Sequence, residues 1–213
     1  MIRATALAVL LAASYTSFAA EEAKAETKPD LAKAKTIAES VCIACHGADG
    51  NSALPANPIL AGQGAEYLLK QLTEFKVPEG NPAIRNNPVM AGMTSTLSKE
   101  DMQGLAQYFS QQKQKPSSAT NRKLVATGQN LWRKGDFERG IPACAGCHGP
   151  TGVGVPNQYP RLSGQYAEYT ELQLRNFRSE ERSNDSEKMM RTIADKLSDK
   201  QIKALADYIA GLR

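Results

Sequence analysis

Cys42-Ile43-Ala44-Cys45-His46 and Cys144-Ala145-Gly146-Cys147-His148 are two pentapeptides of one design, and they hold all four cysteines and both histidines of this 213-residue chain. The pattern C-x-x-C-H reads as a c-type haem attachment site, in which two thiols bond to the porphyrin vinyl groups and the adjacent imidazole binds the iron. Two residues between the cysteines let one turn of backbone span the edge of the macrocycle, and the next residue swings its imidazole beneath the ring. The expected cofactors are therefore two covalent haem c groups, on Cys42 and Cys45 and on Cys144 and Cys147, with His46 and His148 as proximal ligands. Redox dithiols, zinc sites and disulfides use the same cysteines, and each leaves something unexplained. A dithiol does not require the following histidine, a closed zinc site needs a fourth ligand where no further Cys or His exists, and disulfides leave both histidines to coincidence.

Extending outward from the motifs, the chain repeats itself. At an offset of 102 residues, Pro58-Ile59-Leu60-Ala61-Gly62-Gln63 faces Pro160-Arg161-Leu162-Ser163-Gly164-Gln165, Tyr67 faces Tyr169 and Phe75 faces Phe177. Farther on the offset becomes 100, so that Met90 faces Met190 and Leu97-Ser98 faces Leu197-Ser198. The polar stretch Lys115 to Asn121, with Pro116 in it, separates the copies. The expected organisation is a first domain over 26–115, a linker over 116–122 and a second domain over 123–213.

Ahead of the first copy, Arg3 precedes an apolar run from Ala4 through Phe18, followed by small residues and then Glu21 and Glu22. That reads as a secretory signal peptide over 1–25, cleaved near 19–25, with an uncleaved anchor as the competing reading. Export suits covalent haem attachment and places the mature protein in the periplasm. The formal net charge is +4, and its whole excess lies in residues 116–213. Nothing in it is clustered like a nucleic-acid footprint, so no nucleic-acid partner is expected; the charge asymmetry bears on how redox partners are steered.

Hydrophobic periodicity predicts an all-α protein. Helices are expected over Leu31–Val41 with a counterpart from about Leu124, over Glu66–Phe75 and Glu168–Phe177, and after the N-caps Ser98 and Ser198. Gln201 completes a capping-box pattern with Ser198. Domains this small bury little apolar surface on their own, so each haem is expected to supply much of its core.

With no histidine left, methionine is the natural sixth ligand, because a thioether suits low-spin iron. The repeat register selects Met90 and Met190, each seven residues before the Leu-Ser that opens the final helix. Met93 and Met189 stay as alternatives, although they face Ile193 and Val89 in the repeat, where packing explains them. Pro58 and Pro160 each lie twelve residues beyond a haem histidine, where a carbonyl is placed to accept the imidazole Nδ1 proton and fix the ring.

Each half resembles a class I cytochrome c domain, through its first helix, haem motif, Pro after the histidine, Met and the Leu-Ser helix ending in Ala-x-Tyr. The tandem arrangement, with Pro-x-Leu-(Ala/Ser)-Gly-Gln twice, resembles the di-haem cytochrome c4 family over nearly all of the mature chain. The resemblance implies a monomeric electron carrier, not an enzyme, working between a quinol-oxidising complex or dehydrogenase and a terminal oxidase, with peripheral association with the membrane. It also implies two haems packed close to a pseudo-twofold interface. One departure concerns the crossing of first and last helices, where the second half offers Gly128 and the first only Ala34 and Ala38. The rival functions are a di-haem electron-entry subunit of a dehydrogenase or oxidase, with the same chemistry, and a di-haem peroxidase, which requires an open iron and a distal acid or base.

Overall fold

The computed structural model describes residues 28–156 and 159–213. The expected signal peptide lies outside the described residues. In the first half, α1 (Leu31–Ile37) continues through a π-helical turn (Ala38–Cys42) into α2 (Ile43–His46), and α3 (Ala65–Phe75), α4 (Pro88–Thr94) and α5 (Lys99–Ser110) follow. The second half repeats the order with α6 (Arg122–Lys134), α7 (Ala145–His148), α8 (Ala167–Arg178), α9 (Met189–Asp195) and α10 (Asp199–Gly211). Two isolated β-bridges are the only extended pairings among the described residues. The fold is all-α, as the periodicity predicts.

Side-chain caps set where the helices start. Asp30 accepts from the Lys33 amide at 2.9 Å and Asn121 from the Lys123 amide at 3.1 Å. Arg122, assigned to the linker from sequence, is thereby the first residue of α6. Both final helices open with a full capping box: Ser98 Oγ accepts the Asp101 amide while Asp101 accepts the Ser98 amide, and Ser198 and Gln201 do the same. Ser198→Ala removes the acceptor for one α10 amide, and is expected to lower stability by about 1 kcal/mol. Thermal unfolding checks this, with Ser198→Thr keeping most of the stability.

In each half the last helix is the centre of the core. Helix α5 packs on α1 and α3, and α10 packs on α6 and α8. The first core gathers Ala34, Ala38, Leu68, Leu97, Met102, Leu105, Ala106 and Phe109. The second gathers Leu131, Trp132, Leu174, Leu197, Ile202, Leu205, Tyr208 and Ile209, with Trp132 wholly buried and its indole N–H donating to Pro150 O at 3.0 Å. Trp132 stands where the first half has Ala38, and Phe109 stands where the second has Ile209.

At the helix crossing, Gly128 on α6 lies under α10, where a Cβ would meet Ala204 O at 2.2 Å and Tyr208 Cβ at 2.5 Å. In the first half the glycine is on the other helix: a Cβ on Gly104 of α5 would lie 3.2 Å from Ala34 Cβ and 3.3 Å from Asp30 O. The crossing is kept in both halves, because one missing Cβ at the contact is enough and either helix can supply it. The chain between the halves is also fastened: Asp207, buried on α10, accepts from Thr120 N, Thr120 Oγ1 and Asn121 N at 2.8–3.1 Å.

Candidate haem-binding sites

The two motifs reach their positions by different routes. The first is the end of a continuous helical run, with a π-turn closing at Cys42. The second follows a loop from Gly135 to Pro142 that is pinned by paired Asp136–Ile141 backbone bonds of 2.9 and 2.8 Å. Both end in the same short helix carrying the second cysteine and the histidine, followed by a glycine with positive φ.

His46 and His148 are buried, and each Nδ1 lies 3.0 Å from a carbonyl, Pro58 O and Pro160 O respectively. A carbonyl only accepts, so Nδ1 carries the proton and Nε2 keeps its lone pair for a metal. Burial pushes both imidazoles below the ordinary histidine value, against a smaller opposing effect of the proline carbonyls, so they are neutral at pH 7. The proline segments are themselves held at both ends. Gly50 O accepts from Leu60 and Ala61, and Gly152 O from Leu162 and Ser163; Gly62 N then donates to Phe109 O and Gly164 N to Ile209 O. The proline carbonyl is thus tied to the last helix, which is why twelve residues of loop can hold a ring in place.

The surroundings of the first cysteine of each motif are not those of a reactive dithiol. Burial pushes the Cys42 and Cys144 thiols up to about 11, whereas reactive cysteines are pulled down. No cysteine is paired with another, and no group of three or more Cys, His, Asp or Glu converges on a metal position among the described residues. Two thiols one turn apart, half-buried at Cys42, Cys144 and Cys147 and exposed at Cys45, and an imidazole presenting Nε2 are the donor set a c-type haem needs, and the residues present fit that group.

Met90 and Met190 lie on the short helices α4 and α9 and are half-buried. Asn87 caps α4 by accepting the Met90 amide at 2.9 Å, and Thr94 Oγ1 donates to Met90 O at 3.0 Å. In the second half Asp185 accepts the Arg191 amide at 3.0 Å and its side-chain Nε at 2.7 Å, and Met190 packs against the domain core. Met93 is 45% exposed, Met189 38% and Val89 62%. Met93 and Met189 belong to neither of the two apolar clusters described above.

Between the sites lies an interface with pseudo-twofold symmetry. Gln63 reaches across to Arg161, accepting its amide at 2.8 Å and donating to its carbonyl at 2.9 Å; Gln165 reaches back to Ile59 with 3.0 Å for both bonds. Each glutamine thus pairs with a peptide unit as a strand neighbour would. Behind them two buried arginines, each over a phenylalanine ring, cross the interface in opposite directions. Arg85 lies 4.5 Å over Phe75 and donates to Gln71 Oε1 (2.6 Å), Gln173 Oε1 (2.8 Å) and Tyr169 OH (3.1 Å). Arg182 lies 4.4 Å over Phe177 and donates to Gln173 Oε1 (2.9 Å), Asn184 Oδ1 (3.0 Å), Tyr67 OH (3.0 Å) and Gln71 Oε1 (3.2 Å). Burial raises the Tyr67 phenol, but the charges of Arg182 and Arg85 overcome it and leave the phenol below its ordinary value. The arginines were missed in the sequence, because Arg85 and Arg182 are 97 residues apart and fall where the repeat offset slips.

The cytochrome c family model matches this chain twice, over residues 31–113 and 125–213. The chain is 49% identical over 181 residues to cytochrome c4 of Azotobacter vinelandii, covering 81% of this chain and 85% of that protein. It is 39% identical over 172 residues to the thiosulfate dehydrogenase electron acceptor of Thiomonas intermedia, covering 79% and 77%. Among solved structures it matches reduced recombinant cytochrome c4 from Pseudomonas stutzeri with a TM-score of 0.80 and 44% identity, over 86% of this chain and 99% of that one. Fold and sites together define two tandem class I cytochrome c domains, each wrapped round one haem. The chain belongs to the di-haem cytochrome c4 family. It carries two covalently bound haem c groups, one at Cys42 and Cys45 and one at Cys144 and Cys147, and it is an electron carrier.

Proposed function

We propose that this protein is exported by a cleaved signal peptide and works in the periplasm as a monomer, taking electrons from a quinol-oxidising complex or a dehydrogenase and passing them to a terminal oxidase. Each haem, when bound, supplies a one-electron ferric/ferrous couple. The chain's part is to hold each iron between His46 and Met90 or His148 and Met190, to fix the imidazoles through Pro58 and Pro160, and to keep water from both metal faces. The observation that carries this reading is the matched pair of 3.0 Å His–Pro contacts, each in a domain whose register-matched Met lies half-buried on a short helix. The similarity to a thiosulfate dehydrogenase electron acceptor supports a dehydrogenase as donor. Because no helix among the described residues is long and apolar enough to cross a membrane, association with one is proposed as peripheral.

Met190→Ala is expected to leave the first haem low-spin and make the second high-spin, with loss of half of the near-infrared sulfur-to-iron absorption. Met189→Ala is expected to leave that band unchanged; the reverse pattern would reassign the ligand. Peroxide turnover at enzymatic rates by the unaltered protein would replace the carrier reading with the peroxidase one.

A further inference from the structure

Arg161 breaks the symmetry of the interface. The segments Pro58–Gln63 and Pro160–Gln165 match closely, but where the first has Ile59 the second has a guanidinium. Its backbone is held tightly: Gln63 binds its amide and carbonyl, and the preceding Pro160 carbonyl receives the His148 proton. Its Cα is therefore fixed one residue from the contact that orients the second proximal ligand.

The side chain has no such company. Arg161 Nε is buried without a hydrogen-bond partner, and no carboxylate pairs with the guanidinium among the described residues. Burial pulls the group below the usual guanidinium value. The other two interface arginines each donate to three or more oxygens. A buried cationic N–H with no acceptor is costly, and such a group calls for a partner that is not an amino acid. The two haem c groups bring propionate carboxylates, and a planar guanidinium matches a carboxylate through paired hydrogen bonds.

We propose that Arg161 holds a propionate of the haem attached at Cys144 and Cys147, and that it sets that haem's potential apart from the first. A fixed cation beside one iron disfavours its ferric form, which carries the extra positive charge. Ile59 gives the first haem no equivalent, so the second haem is the more easily reduced.

The test is a redox titration of the holoprotein followed by NMR, with each set of haem resonances assigned through contacts to Trp132, which only the second domain contains. Arg161→Met and Arg161→Gln are both made, so that one misfolding variant does not decide the matter. The second haem's reduction equilibrium is expected to fall about tenfold in each, or about 59 mV for a one-electron couple. The first is expected to move by less than half of that, and Arg161→Lys to retain most of the native value. Unchanged potentials would mean that Nε meets only water, and would overturn the proposal. So would a larger shift at the first haem, or a Lys variant as low as the Met one, which would reduce Arg161 to a packing role.

Discussion

Arg182→Ala is expected to cost about 3–5 kcal/mol, the largest loss from a single interface side chain, and to uncouple the two domains. Arg85 still serves Gln71 and Gln173 after the change, so the cost comes from Tyr67 OH and Asn184 Oδ1 losing a charged donor, together with a cavity over Phe177. Calorimetry of the holoproteins is expected to resolve two transitions for the variant and one for the unaltered protein. The Tyr67 phenol is expected to titrate higher, because the charge that offsets its burial is gone. Arg182→Lys keeps the charge but not the planar fork, and is expected to recover less than half of the stability. A loss below about 1 kcal/mol would show that the network is decoration on an interface held by other contacts.

Gly128→Ala is expected to cost about 3 kcal/mol. The added Cβ meets the backbone oxygen of Ala204 at 2.2 Å and the Cβ of Tyr208 at 2.5 Å, neither of which can rotate away, so α6 must lift from α10 and loosen the Trp132 core. Gly104→Ala makes the complementary test. Its nearest contacts are 3.2 and 3.3 Å, a few tenths of an ångström of adjustment suffices, and a loss of about 1 kcal/mol or less is expected. Equal losses in urea unfolding of the two variants would contradict the unequal spacing of the two crossings.

What the sequence shows of this protein depends on how local the cause is. The haem motifs, the N-caps at Ser98 and Ser198 and the helix faces are set by residues within a turn or two of one another, and they are legible. The proline carbonyls are twelve residues from their histidines, yet repetition of the spacing marks them. Helices α4 and α9 are seven residues each, too short for a periodic face, and α4 carries Pro88 and Gly92, which argue against a helix when read alone. Arg85 and Arg182 are hidden for a different reason. Each has partners on the opposite domain as well as on its own, and two arginines in segments of unequal length show no pattern until the halves meet. The part of Gly104 in the first crossing is equally silent, since a missing Cβ has meaning only against the helix that crosses it.

The crossed glutamines have a further consequence. Gln63 grips the residue after Pro160, and Gln165 the residue after Pro58, so each half of the duplication supports the peptide on which the other half's histidine depends. A substitution at position 63 is felt at His148 sooner than at His46. The duplicated halves are accordingly not two heirs free to diverge: each is custodian of the other's iron, and inheritance must treat them as one unit.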